Sequence, residues 1–104
     1  MEKRLEQRTQ HCIELMYGCN DTFCPGTALN LSPHGMRIHA GSQIVPIDRE
    51  IKLLLTLGDE LVSMCGVVRW NSEVYDLDPE ADKHLGVFIP DPAAGYIRYL
   101  YRLN

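Results

Sequence analysis

No run in this chain approaches the roughly 18 consecutive apolar residues of a helical membrane span, so no membrane insertion is expected. No charged-then-apolar leader opens it, which points to the cytoplasm. Positive charge is scarce. The net charge of −4 argues against the broad basic face that DNA, RNA or an anionic membrane surface demands. Catalytic signatures are also missing. There is no Gly-x-Ser-x-Gly, no Gly-rich phosphate loop and no His-Glu-x-x-His. His and Asp are scattered without the spacing of an acid–base pair, so the chain is not expected to be an enzyme. Internal repeats and low-complexity segments are absent as well.

Metal motifs fare no better. Cys12, Cys19, Cys24 and Cys65 are expected as reduced thiols in the cytoplasm. The spacing Cys12-x6-Cys19-x4-Cys24 fits no common paired-cysteine zinc pattern, even with His11 and His39 nearby. Asp76, Asp78, Glu80 and Asp82 alternate within 71–83, but the Gly and terminal Glu of a calcium loop are missing. That segment reads as a solvated acidic loop, placed away from any anion site. No metal and no cofactor are expected.

What remains is ordinary globular material: 104 residues, 45% hydrophobic and 23% charged, the size of one domain. Strand signals are short and frequent. Residues 9–17, 26–32, 36–40, 50–57, 60–70 and 84–89 read as six strands, although the Leu-rich 50–57 is also compatible with a helix. Residues 18–25 carry turn chemistry, Gly58-Asp59 suggests a hairpin, and Gly66 suggests a bend or bulge. Asp91-Pro92 reads as an N-cap with Pro at the first helical position, opening a helix over 91–103. On it, Tyr96, Tyr99 and Tyr101 make an aromatic face, part core and part docking surface. Strands at this density followed by one helix predict a small all-β barrel with a C-terminal helix.

Two elements carry chemistry. Arg4-Leu5-Glu6-Gln7-Arg8 is an Arg-x-x-x-Arg spacing, and Asn30-Leu31-Ser32-Pro33-His34-Gly35 reads Asn-x-Ser-x-x-Gly. If 9–17 and 26–32 form a hairpin, antiparallel pairing brings Arg8 opposite Pro33 or His34. Two guanidinium forks, an amide, a hydroxyl and a Gly then meet at one end. Arg fits phosphate oxygens or the O6 and N7 acceptors of guanine. Ser32 can donate to phosphate, Asn30 can pair with a base edge, and Gly35 permits close approach. Arg37 and Arg69 are further candidates for the same pocket. The set suits a guanine nucleotide with phosphates.

In this order and separation the two elements resemble the signature of PilZ domains, which receive the bacterial second messenger cyclic di-GMP. Gly66-Val67-Val68-Arg69-Trp70 and Leu85-Gly86-Val87-Phe88-Ile89 are similar to later strands of that family, and the likeness spans 4–103. It implies a six-stranded antiparallel PilZ-like β-barrel with a C-terminal α-helix, as a single domain over 1–104. Within it, 1–8 would be a ligand-wrapping segment, 9–89 the barrel and 91–103 the helix. It also implies that Arg4 and Arg8 grip phosphate and guanine, that Asn30 contacts guanine and Ser32 a phosphate, and that Gly35 keeps room for the ligand. In that family the residue before the first Arg helps set how many ligand molecules bind; here that position is Lys3, which leaves one molecule or an intercalated pair open. The family implies a non-catalytic receptor that signals to a protein partner, or through a homodimer, by ordering its N-terminal segment in motility or biofilm regulation. The alternative is a ligand-independent PilZ-like adaptor in a motility or surface-structure system.

Overall fold

The computed structural model describes residues 12–19, 21–40, 44–72 and 83–103. Alternation of apolar and polar side chains organises it. In β4 (Glu50–Leu57), Ile51, Leu53, Leu55 and Leu57 point inward while Glu50, Lys52 and Thr56 face water. That period of two, not the helix-forming tendency of Leu, decides the element. β1 (Ile13–Cys19) buries Ile13, Leu15 and Tyr17 in the same way, and β3 (Gly35–Ala40) buries Met36, Ile38 and Ala40. β2 (Thr22–Ser32), β5 (Glu60–Asn71) and β6 (His84–Phe88) complete the strands.

All neighbours are antiparallel, and the order β1-β2-β3-β6-β5-β4 closes into a barrel through pairing of β4 with β1. Closure leaves no open sheet edge between strands. The inward side chains form one core, which α1 (Ala94–Leu103) covers with Tyr96 and Leu100, spaced one helical turn apart. Among the described residues no helix is long and apolar enough to cross a membrane. The expected six-stranded barrel with a C-terminal helix is the observed architecture.

Three local expectations are corrected. Cys19 pairs with Thr22, so the β1–β2 turn lies between them and 22–25 belong to β2, not to a long turn. Pro25 is tolerated because β3 pairs with β2 only from Gly26 onward. The helix begins at Ala94, not at Pro92. The Ile97 amide donates to the Ala93 carbonyl at 3.1 Å, which makes Ala93 the cap position. Gly66 keeps regular register, and the irregularity of β5 falls between Val68 and Trp70. Gly66 serves close packing instead: an added Cβ would lie 2.5 Å from Val87 Cγ1 and 3.3 Å from Leu53 Cδ1.

Two bulges interrupt the ladders, and both place side chains at the site. In β2, Leu29 pairs with Arg37 but Ser32 pairs with Gly35, so β2 holds one extra residue. In β5, Val68 pairs with Val87 but Trp70 pairs with Gly86, so Arg69 is the extra residue. The buried spacing accordingly jumps from two to three, from Ala28 to Leu31 and from Val68 to Asn71. Each bulge therefore puts two consecutive side chains outside the barrel. Asn30 meets the first with a left-handed φ of 52°, a conformation that Asn tolerates better than most residues.

Candidate ligand-binding site

A groove of about 340 Å³ lies on the outer wall where β2, β3, β5 and β6 meet. Its floor is built by the bulges. Asn30 and Ser32 come from the end of β2, Gly35 and Arg37 from the start of β3, Arg69 and Trp70 from β5, and Gly86 and Phe88 from β6. Among these lining residues there is no carboxylate. A larger depression of about 540 Å³, walled by Glu14, Met16, Pro25, Leu54 and Leu61 among others, has no Arg or Lys in its lining. Of these two, the first is the one chemically suited to an anion.

The turn at 32–35 is pinned from two directions. On one side, the Ile89 amide donates to the His34 carbonyl at 2.9 Å, and His34 Nδ1 lies 2.9 Å from the Ile89 carbonyl. A carbonyl can only accept, so Nδ1 carries the proton. On the other side, the buried Tyr96 hydroxyl donates to the Ser32 carbonyl at 2.7 Å and lies 3.4 Å from the Gly35 carbonyl. Burial pushes the Tyr96 hydroxyl pKa well above its ordinary value, and the bond to Ser32 opposes that rise. Ser32 Oγ makes a long 3.3 Å bond to the Gly35 carbonyl. Gly35 has no left-handed backbone; its reason is close approach, since an added Cβ would stand 3.3 Å from the Val87 carbonyl oxygen.

Each groove arginine rests on a ring. The Arg37 guanidinium carbon lies 5.5 Å from the Trp70 ring centroid, and that of Arg69 lies 5.5 Å from the centroid of Phe88. Both distances are within cation–π range. Gly86 makes the first contact possible. It pairs with Arg37 on one side and Trp70 on the other, and having no side chain it lets the indole lie over the β6 backbone. Arg37 Nε also donates to His84 Nδ1 at 3.3 Å, which leaves its terminal amino groups for another acceptor. Arg69 leans toward Asp48 at 3.6 Å, with both side chains more than half exposed. Asp48 has a φ of 73° and is held by its amide on the Val68 carbonyl at 2.7 Å. The pieces thus converge on one wall: parallel guanidinium donors, flat aromatic faces, an amide, a hydroxyl and a close-lying backbone.

A family model of the PilZ domain matches residues 2–102. The chain belongs to the PilZ domain family. That family comprises cyclic di-GMP receptors and adaptors, in general non-catalytic. Among solved structures, the Bacillus subtilis inhibitor of motility (MotI/DgrA) superposes with a TM-score of 0.73 at 16% identity, over 99% of this chain and 49% of that one. At that identity the likeness shows the fold alone. The chain spans about half the length of that protein. No curated protein matches the sequence.

Of the residues singled out in the sequence, the PilZ fold brings Asn30, Ser32, Gly35, Arg37 and Arg69 into one groove. Lys3, Arg4 and Arg8 lie outside the described residues, as does most of the acidic segment 71–83. Sequence reasoning passed over His34, Trp70, Gly86 and Phe88 as lining residues, and Tyr96 as the support beneath the turn. Trp70 and Gly86 were visible within strand patterns, but their pairing across the β5–β6 ladder was not. Of the tyrosines on α1, Tyr96 is buried, Tyr99 is half-buried against the core and Tyr101 is exposed.

Proposed function

We propose that this PilZ domain is a non-catalytic receptor for cyclic di-GMP. The observation that carries the reading is the convergence of Asn30, Ser32 and Gly35 with the ring-backed Arg37 and Arg69 in a groove whose lining has no carboxylate. A ligand with two phosphates and two guanines needs several forked cations and flat surfaces. Arg37 and Arg69 offer both. Asn30 would pair with a guanine edge, Ser32 would donate to a phosphate, and Gly35 would leave space for the ligand. Arg4 and Arg8, with Lys3 before them, would supply the remaining cations from the N-terminal side.

On this reading the messenger orders the N-terminal segment over the groove, and the altered surface is shown to a protein partner or a second copy in the cytoplasm. The motility inhibitor that shares the fold makes a motility or biofilm system the first place to look for that partner. A second reading has one observation in its favour. Arg37 and Arg69 already have internal partners in His84, Trp70, Asp48 and Phe88. A wall so satisfied can serve as a ligand-independent adaptor surface.

Isothermal titration with cyclic di-GMP separates the two, with GTP as the specificity check and Arg8→Ala and Arg37→Ala as variants. Saturable heat that GTP does not reproduce and that both variants weaken supports the receptor. No heat from protein that melts cooperatively leaves the adaptor.

A further inference from the structure

The motif turn and the C-terminal helix are joined by a bond that neither element needs for its own formation. Tyr96 sits in the first turn of α1, and its side chain crosses the end of the barrel to reach the carbonyls of Ser32 and Gly35. These lie 64 and 61 residues away in sequence. Ser32 and Gly35 are also the two residues of the motif that line the groove from the turn. The same helix carries the exposed Tyr101 and Arg102 on its outer surface. A displacement of the turn by a ligand therefore acts on the hydroxyl, and through a rigid ring on the helix.

From this we infer that Tyr96 is a positioning residue, a strut that holds the Ser32–Gly35 turn in its ligand-competent form and carries occupancy of the groove to the outer face of α1. The inference rests on the receptor reading for its ligand-dependent half. Its other half, the mechanical coupling of turn and helix, stands without any ligand. Three features support a strut rather than plain packing. The bond is short at 2.7 Å, the residue is buried, and the acceptors are the two strand-end residues that flank the motif turn, the last of β2 and the first of β3. A packing role needs only the ring; a strut needs the hydroxyl.

Tyr96→Phe keeps the ring and removes the hydroxyl. Ile97→Val, on the same helix and against the same core, loosens helix docking without touching the bond. Amide hydrogen exchange is read on residues 32–36 and 97–103, with and without saturating cyclic di-GMP, together with calorimetric affinity. In the wild type, ligand slows exchange in both segments. In Tyr96→Phe, affinity falls about 2- to 10-fold, the value of one hydrogen bond, and the helix no longer responds to ligand. Ile97→Val keeps the helix response. Without ligand, Tyr96→Phe speeds exchange in turn and helix together, whereas Ile97→Val speeds it in the helix alone. A Tyr96→Phe protein with an unchanged turn and a full helix response overturns the strut. If the wild type binds no cyclic di-GMP, the receptor reading fails by itself. The ligand-free comparison then decides the strut: a joint change in turn and helix upholds it, and a change confined to the helix refutes it.

Discussion

Gly86→Ala tests how the groove is assembled. Gly86 stands between Arg37 on β3 and Trp70 on β5, paired with both. An added Cβ would fall inside the indole, 2.5 Å from Trp70 Cδ1 and 2.6 Å from Cε2. Paired on both sides, the β6 backbone has little room to retreat, so the indole must swing away and Arg37 loses the ring beneath it. Forcing a methyl into a filled position costs about 1–3 kcal/mol. Loss of a half-buried cation–π contact adds about 0.5–1 kcal/mol. Removing a strand glycine returns about 0.5–1 kcal/mol. The net destabilisation is then about 1–3 kcal/mol, and each kcal/mol lowers Tm by about 4–8 °C in a domain of this size. Trp70 is the only tryptophan, so intrinsic fluorescence reports the groove with no label. The variant should melt earlier, show red-shifted emission as the indole enters water, and bind cyclic di-GMP more weakly. Unchanged emission and a Tm within a degree of wild type would refute the argument that the missing side chain at Gly86 seats Trp70.

Other outcomes follow from the same wall. Asp48→Asn releases Arg69 from its exposed partner, so stability changes by less than about 0.5 kcal/mol, while cyclic di-GMP affinity measured calorimetrically rises and becomes more salt-sensitive; weaker binding would mean that Asp48 aids the ligand instead of competing with it. Asn30→Gly eases a left-handed backbone but removes the amide. Denaturant unfolding should show stability within about 1 kcal/mol of wild type, and titration a clear loss of affinity; full affinity would remove Asn30 from the site. Tyr96 gives an alkaline signature. Its pKa is raised in the folded state by burial, so folded protein holds the proton that unfolded protein releases above the ordinary tyrosine value of 10.0. Stability is thus fully present below that value and falls as pH climbs above it toward the folded pKa. Urea unfolding at pH 8, 10 and 11 should show a steeper alkaline loss in wild type than in Tyr96→Phe, and parallel curves would contradict the burial.

Much of the fold was legible because strand periodicity is local. Ile51, Leu53, Leu55 and Leu57 announce a strand face whatever they pair with, and Gly58-Asp59 announces the hairpin that joins β4 to β5. The motif Asn30-x-Ser32-x-x-Gly35 was legible too, because its residues are close in the chain, and the turn holds Ser32 and Gly35 within hydrogen-bond reach. Arg37 stands two residues after the motif turn and Arg69 beside Trp70 on a strand, and the fold places both on the groove.

The bulges were not legible. An extra residue in β2 or β5 is defined only against the register of β3 and β6, and no local pattern reports a register. Gly66 looked like the break in β5, yet its glycine answers the Val87 side chain of the adjacent β6, and the break falls at Arg69. The helix start was misplaced because Asp91-Pro92 carries the right residue types, while the first helical bond ends on Ala93. Sequence by itself determined the strand faces, the turn chemistry and the polar groups the motif offers, since each depends on residues close together in the chain. Barrel closure decided which side chains share a wall, that Gly86 opens space for Trp70 and Arg37, and that Tyr96 stands under Ser32. Those relations join residues up to 64 positions apart, and only the paired, packed chain brings such residues within a few ångströms.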